Sequence, residues 1–297
     1  MRFVVFAEQR LGLVDGDTVI DVTSLVPGPD TAAGPLDRLI NNAGALGTFS
    51  QAALSDLPRH PIDEVILQAP LPRPAKVIGA PVNYVDHKIE MSEQRSIADL
   101  GVFLKASSSV IGPGGTVIMP YNDMRTDQEG ELVVVIGRTA RHVDAADALD
   151  YVFGYSCGLD MTVRSTEDRS TRKSFDTFSP LGPWVVTADE VSDPRDLTLQ
   201  TRVNGALRQD VSISDLIFGI PELIAYTSSV MTLWPGDVIF TGTPAGVGPV
   251  TNGDLIEVTV SDIGTLAVTV SDEQAVNYAD RPGWSAVSPT PKLVSSE

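Results

Sequence analysis

Glu129-Gly130-Glu131-Leu132-Val133-Val134-Val135-Ile136 is the stretch on which the reading of this chain turns. Its run of β-branched and aliphatic residues behind a glycine reads as a strand. A period of two places Glu129 and Glu131 on one face, roughly 6–7 Å apart, and continues that face as Val133 and Val135. Two like charges bordering apolar surroundings are costly unless something positive sits between them. An isolated Glu-x-Glu is usually a solvated strand end, so the pair needs company. Further along, Tyr155-Ser156-Cys157-Gly158-Leu159 ends in Asp160, with no compensating charge before Arg164. Alone, Asp160 reads equally well as the cap of a turn. With Glu129 and Glu131 it completes a three-carboxylate face with room for water or substrate oxygens, an arrangement suited to Mg²⁺ or Mn²⁺.

Composition narrows the company these acids keep. The chain has 297 residues, 42% hydrophobic and 20% charged, as a soluble globular protein of about two domains would. Lys+Arg total 21 against 39 Asp+Glu, a net charge of -18. Such a surface repels phosphate backbones and anionic lipid, which excludes nucleic acid and membrane as main partners. An anionic small molecule would have to be met by local arginine, lysine or metal. The single cysteine, Cys157, rules out an internal disulfide, and three histidines are too few and scattered for a multi-histidine metal cluster. Glu8 interrupts the N-terminal apolar run too early for a signal segment, and no run approaches the ~20 residues of a membrane span. The expected location is cytoplasmic.

The first seventy residues read as a small N-terminal unit, with strands at 2–7 and 18–21 around the turn Asp15-Gly16 and weak helical patterns at 36–42 and 49–54. Leu71-Pro72-Arg73-Pro74 reads as a stiff linker, placing a boundary after residue 70. The 71–278 segment is mostly β, with strands expected at 76–79, 102–105, 116–119, 129–136, 184–187, 197–203, 237–241, 255–260 and 265–270. Asn204-Gly205 marks a type I′ hairpin. Helices are expected after Tyr84, over 144–153 with Asp144 as N-cap and Gly154 beyond the end, and over 221–232. Many strands with few helices make a β-rich α+β fold, and the Ser/Pro-rich 279–297 segment reads as a tail.

Three further pieces can carry chemistry. His87 and Glu90 lie three apart after Tyr84, so a helical turn sets imidazole and carboxylate side by side. A carboxylate partner orients the ring and raises its basicity, as a general base needs, although spacing alone also fits an exposed surface pair. Lys173 is either an electrostatic clamp or one of several surface cations. The 241–248 stretch, Thr-Gly-Thr-Pro-Ala-Gly-Val-Gly, lets backbone approach a ligand closely, but it lacks the lysine of a P-loop and the spacing of a dinucleotide fingerprint.

Taken in order, Asn83-Tyr84…His87…Glu90, Phe103-Leu104-Lys105, Glu129…Glu131-Leu132, Gly154-Tyr155…Asp160, Lys173-Ser174-Phe175-Asp176, Val203-Asn204-Gly205, Pro235-Gly236-Asp237 and the 241–248 loop closely resemble the fumarylacetoacetate hydrolase family. The resemblance runs from about residue 76 to 270. It implies a mixed β-sandwich roll with a small N-terminal α+β domain, a homodimer, and Mg²⁺ or Mn²⁺ held by Glu129, Glu131 and Asp160. It further implies a water-activating dyad of His87 and Glu90 on a lid, with Lys173 completing the catalytic set. Arg164, Lys173 and Thr243 match substrate-contacting positions, and Lys105 falls in a matching segment. Glu167 departs from the pattern, since relatives often carry glutamine three residues after this arginine. It either pairs with a neighbouring arginine or faces the pocket, where it would accept a hydrogen bond and disfavour a second substrate carboxylate.

Residues and resemblance converge on a 2-oxo acid substrate. The leading reading is a divalent-metal-dependent hydrolase cleaving a C–C bond in acylpyruvate-like β-diketo acids through a stabilised enolate. Decarboxylation of oxaloacetate, or isomerisation or hydration of an unsaturated oxo-diacid from aromatic catabolism, would use the same site. A metal-binding protein without catalysis is the reading from another class, and the co-occurrence of His87 and Glu90 with the three acids counts against it.

Overall fold

In the computed structural model the stretch 129–136 becomes the strand Gly130–Ile136, buried at every position. The structure describes residues 1–26, 28–29, 31–42 and 45–281; residues 282–297, most of the expected tail, lie outside that description. Gly130–Ile136 pairs antiparallel with Val152–Leu159 on one side and with Val238–Phe240 on the other. These three strands form the middle of a twelve-stranded sheet. A five-stranded sheet, in the order Ala206–Ser212, Thr198–Val203, Leu255–Val260, Gly264–Ser271, Thr116–Ile118, packs against one of its faces.

Burial on both faces explains why the central strand is uniformly apolar where a half-exposed strand would alternate. Leu132, Val134 and Ile136 pack with Leu199, Ile256, Val258 and Leu266 of the smaller sheet. Val133 and Val135 instead join Val238 and Phe240 with Phe3, Leu11, Leu36 and Leu39 from the N-terminal segment. Truncating any one of these side chains to alanine should cost about 2–5 kcal/mol. The N-terminal strand Arg2–Phe6 pairs with Ser179–Thr187, so the first residues of the chain extend the same sheet.

Most expected strands appear within a residue or two. The Asn204-Gly205 turn has both residues at positive φ (52° and 78°), as its sequence requires. Three expectations need correction. The 144–153 helix is a 3-10 turn over Ala145–Tyr151, and the Asp144 side chain makes no cap hydrogen bond. Gly154 does not terminate it but lies inside Val152–Leu159, where a Cβ would fall 2.1 Å from the Val186 carbonyl oxygen. The glycine is there because two strands meet too closely for a side chain. The 184–187 strand is longer, Ser179–Thr187, its first half disguised by Pro180 and Pro183, which ordinarily mark strand edges.

Candidate active site

Strand register assembles the acids. Gly130 pairs with Leu159, so Glu129, just ahead of one strand, and Asp160, just beyond the other, emerge at the same sheet end. The Asp160 N–H donates to the Glu129 carbonyl at 2.8 Å. Glu129, Glu131 and Asp160 are all buried, and each offers a carboxylate oxygen within 4.8 Å of the others.

Buried carboxylates this close need countercharge. Lys173, which caps the short helix Arg169–Arg172, donates to Glu129 Oε2 (2.6 Å), Asp160 Oδ2 (2.5 Å) and Thr162 Oγ1 (2.7 Å). Lys105, at the end of Phe103–Lys105, donates to Asp160 Oδ1 (2.6 Å) and the Phe178 carbonyl (2.8 Å). Arg164 spans Glu129 Oε1 (2.7 Å) and Asp127 Oδ2 (2.6 Å), while Arg125 holds the other Asp127 oxygen. Burial alone would raise the Glu129 pKa, but the Lys173 and Arg164 cations outweigh it and hold the carboxyl well below its usual range. For Lys105 burial wins, lowering its pKa against the pull of Asp160.

Glu131 is the acid left over. Among the described residues its only hydrogen-bond donor is the Gly242 N–H, at 2.7 Å. Burial, and next the Asp160 carboxylate, push its pKa well above the ordinary value. The cluster is thus short of positive charge at Glu131, and its donors are all oxygen. Both features fit a hard divalent cation held by Glu129, Glu131 and Asp160.

The 241–248 loop, which the sequence alone leaves without a partner, joins this cluster to the helix Val85–Glu90. Gly242 (φ 103°) lies so close to Asn83 that a Cβ would come within 2.7 Å of that side chain. Asn83 in turn donates to the Thr241 and Phe218 carbonyls and accepts from the Phe218 N–H. Gly246 (φ 98°) donates from its N–H to Glu90 Oε1 at 3.0 Å. The other Glu90 oxygen lies 3.3 Å from His87 Nδ1, across one turn of the helix Val85–Glu90. A carboxylate on Nδ1 favours the proton there and leaves Nε2 as the basic nitrogen.

A cavity of about 160 Å³ lies between this helix and the acids. His87, Glu129, Glu131, Asp160, Lys173 and Thr243 line it, and Arg164 is at its wall. Glu90 and Lys105 stand behind, touching His87 and Asp160. The Thr243 hydroxyl donates to the Gly130 carbonyl and accepts from Gln209 Nε2. Glu167 is not brought to the cavity. Its carboxylate accepts from Ser165 Oγ at 2.8 Å and lies 3.5 Å from Arg281 Nε. The arginine beside it is not, as expected, one of its sequence neighbours but Arg281, more than a hundred positions away. The pocket-facing alternative has no support in the geometry.

Sequence reasoning also missed Asp127, Gln209 and three cavity-lining residues, Glu93, Arg169 and Arg172. Gln209 sits on the other sheet, and nothing near it in sequence signals its place beside Gly130. Arg169 and Arg172 lie within five positions of Glu167 in the sequence, which gives no sign of which way they face.

Comparison with known proteins agrees with this geometry. The family described as fumarylacetoacetate (FAA) hydrolase C-terminal matches residues 76–271, about two thirds of the chain. The chain is 43% identical over 284 residues to maleylpyruvate hydrolase of Aquipseudomonas alcaligenes, covering 91% of this chain and 99% of that one. It is 35% identical over 286 residues to the mitochondrial oxaloacetate tautomerase Fahd2a of Rattus norvegicus, covering 90% of each. The crystal structure of maleylpyruvate hydrolase from Sphingobium sp. SYK-6, in complex with manganese(II) and pyruvate, superposes with a TM-score of 0.83 at 42% identity, covering 92% of this chain and 99% of that one. With two thirds of its length matched and relatives similar nearly end to end, this chain belongs to the fumarylacetoacetate hydrolase family.

Proposed function

We propose that this protein is a divalent-metal-dependent C–C hydrolase of acylpyruvates, with Glu129, Glu131 and Asp160 as metal ligands and His87–Glu90 as the water-activating dyad. The observation that carries the reading is the meeting of both groups across one small cavity. When bound, Mg²⁺ or Mn²⁺ supplies Lewis-acid polarisation to the 2-oxo acid head. His87 Nε2 takes a proton from water, whose oxygen attacks the acyl carbonyl, with Glu90 stabilising the charged ring. The bond between acyl carbon and methylene carbon breaks, its electron pair staying on the pyruvate fragment as the enolate. His87 returns the proton to that carbon, giving pyruvate and the free acid. Lys173 and Lys105 hold the surrounding carboxylates in place, and closure of 85–90 over the cavity excludes bulk water.

A second reading, tautomerisation of oxaloacetate, is favoured by the rat tautomerase relative; it and decarboxylation of oxaloacetate would use the same enolate without water attack. Incubating the Mg²⁺- or Mn²⁺-loaded protein with an acylpyruvate and with oxaloacetate separates them. Pyruvate plus free acid supports hydrolysis. Enol–keto exchange of oxaloacetate, or CO₂ release, without acylpyruvate cleavage supports the second reading. Turnover of neither rejects both. A homodimer working in the cytoplasm is part of the same proposal. The fully buried thiol of Cys157 suits a reducing compartment, and sedimentation of the purified protein measures the oligomeric state.

A further inference from the structure

Two buried glutamines behind the cavity have no part in the mechanism above. An amide taken out of water is costly unless it is hydrogen-bonded, and both of these bond to one stretch of backbone. Gln209, on the strand Ala206–Ser212, accepts from the Gly130 N–H at 2.9 Å through Oε1. Its Nε2 donates to Thr243 Oγ1 (2.7 Å) and to the Pro244 carbonyl (2.9 Å). Gln128, on the strand Thr126–Gln128, donates from Nε2 to the Gly246 carbonyl at 2.9 Å. Both side chains are fully buried, and neither lines the cavity.

The backbone they hold has little room to move. Gly246 sits at φ 98°, and a Cβ there would fall 1.9 Å from the Arg208 carbonyl oxygen. The loop therefore lies directly on the strand that carries Gln209, in a conformation that glycine adopts without strain. This fixes the direction of the Gly246 N–H, which donates to Glu90 Oε1 at 3.0 Å. The Glu90 side chain is 33% exposed, at the end of a six-residue helix whose buried residue is His87. In water such a side chain samples several rotamers, and selecting one costs entropy. The Gly246 N–H selects the rotamer that sets Glu90 Oε2 at 3.3 Å from His87 Nδ1.

We propose that Gln128 and Gln209 are positioning residues for the His87–Glu90 pair. By fixing the 243–246 backbone they aim the Gly246 N–H at Glu90 and keep its carboxylate on the imidazole. The proposal rests on the reading of that pair as the water-activating dyad.

The test is a double-mutant cycle with Glu90, read in acylpyruvate cleavage. Gln128→Met keeps the length of the side chain and removes the donor. It should lower kcat about tenfold, within the range for coupled neighbours, and leave KM and the metal-dependent melt as in the native protein. In the Glu90→Ala background the same substitution should change kcat by less than about twofold, because the carboxylate it acts through is gone. Gln209→Met should show the same non-additivity in kcat. Losses of equal size in both backgrounds overturn the proposal. Should Gln128→Met not fold, Gln128→Asn, which keeps the amide but not its reach, decides the cycle. Hydrogen exchange of the Mn²⁺-loaded protein gives a readout independent of turnover. In either methionine variant exchange should quicken about tenfold over 85–90 and 244–248 and stay native elsewhere. Unchanged exchange over 85–90, or an equal rise throughout the chain, overturns the positioning role. Absence of acylpyruvate cleavage in the native protein, with the expected exchange pattern, rejects the hydrolase reading and leaves both glutamines as positioning residues for Glu90.

Discussion

The cavity has two walls built on opposite principles. Its floor is the end of a buried sheet, where strand register sets Glu129, Glu131 and Asp160, and Lys105, Lys173 and Arg164 lock Glu129 and Asp160 through contacts of 2.5–2.7 Å. Its roof is one short helix, Val85–Glu90, with Val85 and Ile89 exposed and the His87–Glu90 contact at 3.3 Å. Among the described residues, the roof is tied down through Asn83, the Tyr84–Leu216 bridge and the Gly246–Glu90 hydrogen bond. In the mechanism proposed above, preorganisation is concentrated where charge would be held, and fewer contacts fall where the base would act and water would leave. Removing a floor residue should therefore abolish ligand capture, whereas removing a roof residue should spare capture and slow chemistry.

The largest effect is expected on the floor. In the native protein, Mg²⁺ or Mn²⁺ at a hundredfold excess over Kd should stabilise the fold by about 2.7 kcal/mol. Glu131→Ala should erase that shift in a thermal melt and abolish turnover. A native-sized metal shift in the variant would break the assignment of the floor. Next comes the roof. His87→Ala should lower kcat by about 10²–10⁴-fold while the metal-dependent melt stays as in the native protein. Loss of both together would erase the distinction between the walls.

A smaller effect follows from the raised pKa of Glu131. Without metal, the folded state keeps a proton on this carboxyl at pH values where the unfolded chain has released it. That contribution to stability is present below the unfolded carboxylate pKa and is lost as pH rises through the folded one. A cation must displace the same proton, so metal affinity should rise with pH by up to about tenfold per unit below the folded pKa. Calorimetric titration across that range in two buffers of different ionisation enthalpy reads the released proton. Affinity independent of pH would place the leftover charge elsewhere. The smallest change is expected at Glu167→Gln, outside both walls. The ratio of kcat/KM for a carboxylate-tailed and a neutral-tailed acylpyruvate should stay within about twofold, some 0.4 kcal/mol. A larger change would bring Glu167 back to the cavity.

Local spacing made the chemistry legible in the amino-acid sequence. Glu129 and Glu131 share a strand face, His87 and Glu90 share a helical turn, and the apolar run 132–136 announces its own burial, because each depends on a periodicity of a few residues. Asn204-Gly205 is legible for the same reason. What lay beyond reach depends on pairing between distant segments. Gly154 looks like a helix terminator until Val186 is seen 2.1 Å from its missing side chain, and Pro180 and Pro183 hide a strand that its neighbours hold in place. Glu131, Thr243 and Glu167 have long-range partners in Gly242, Gln209 and Arg281, each at least 34 positions away. A carboxylate's charge is written in the sequence, but whether it is compensated is decided by which cations and N–H groups the fold brings within about 3 Å. Tertiary structure therefore decided that, among the described residues, Glu131 meets only the Gly242 N–H, that Glu167 is held by Ser165 and Arg281, and that Arg169 and Arg172 line the cavity.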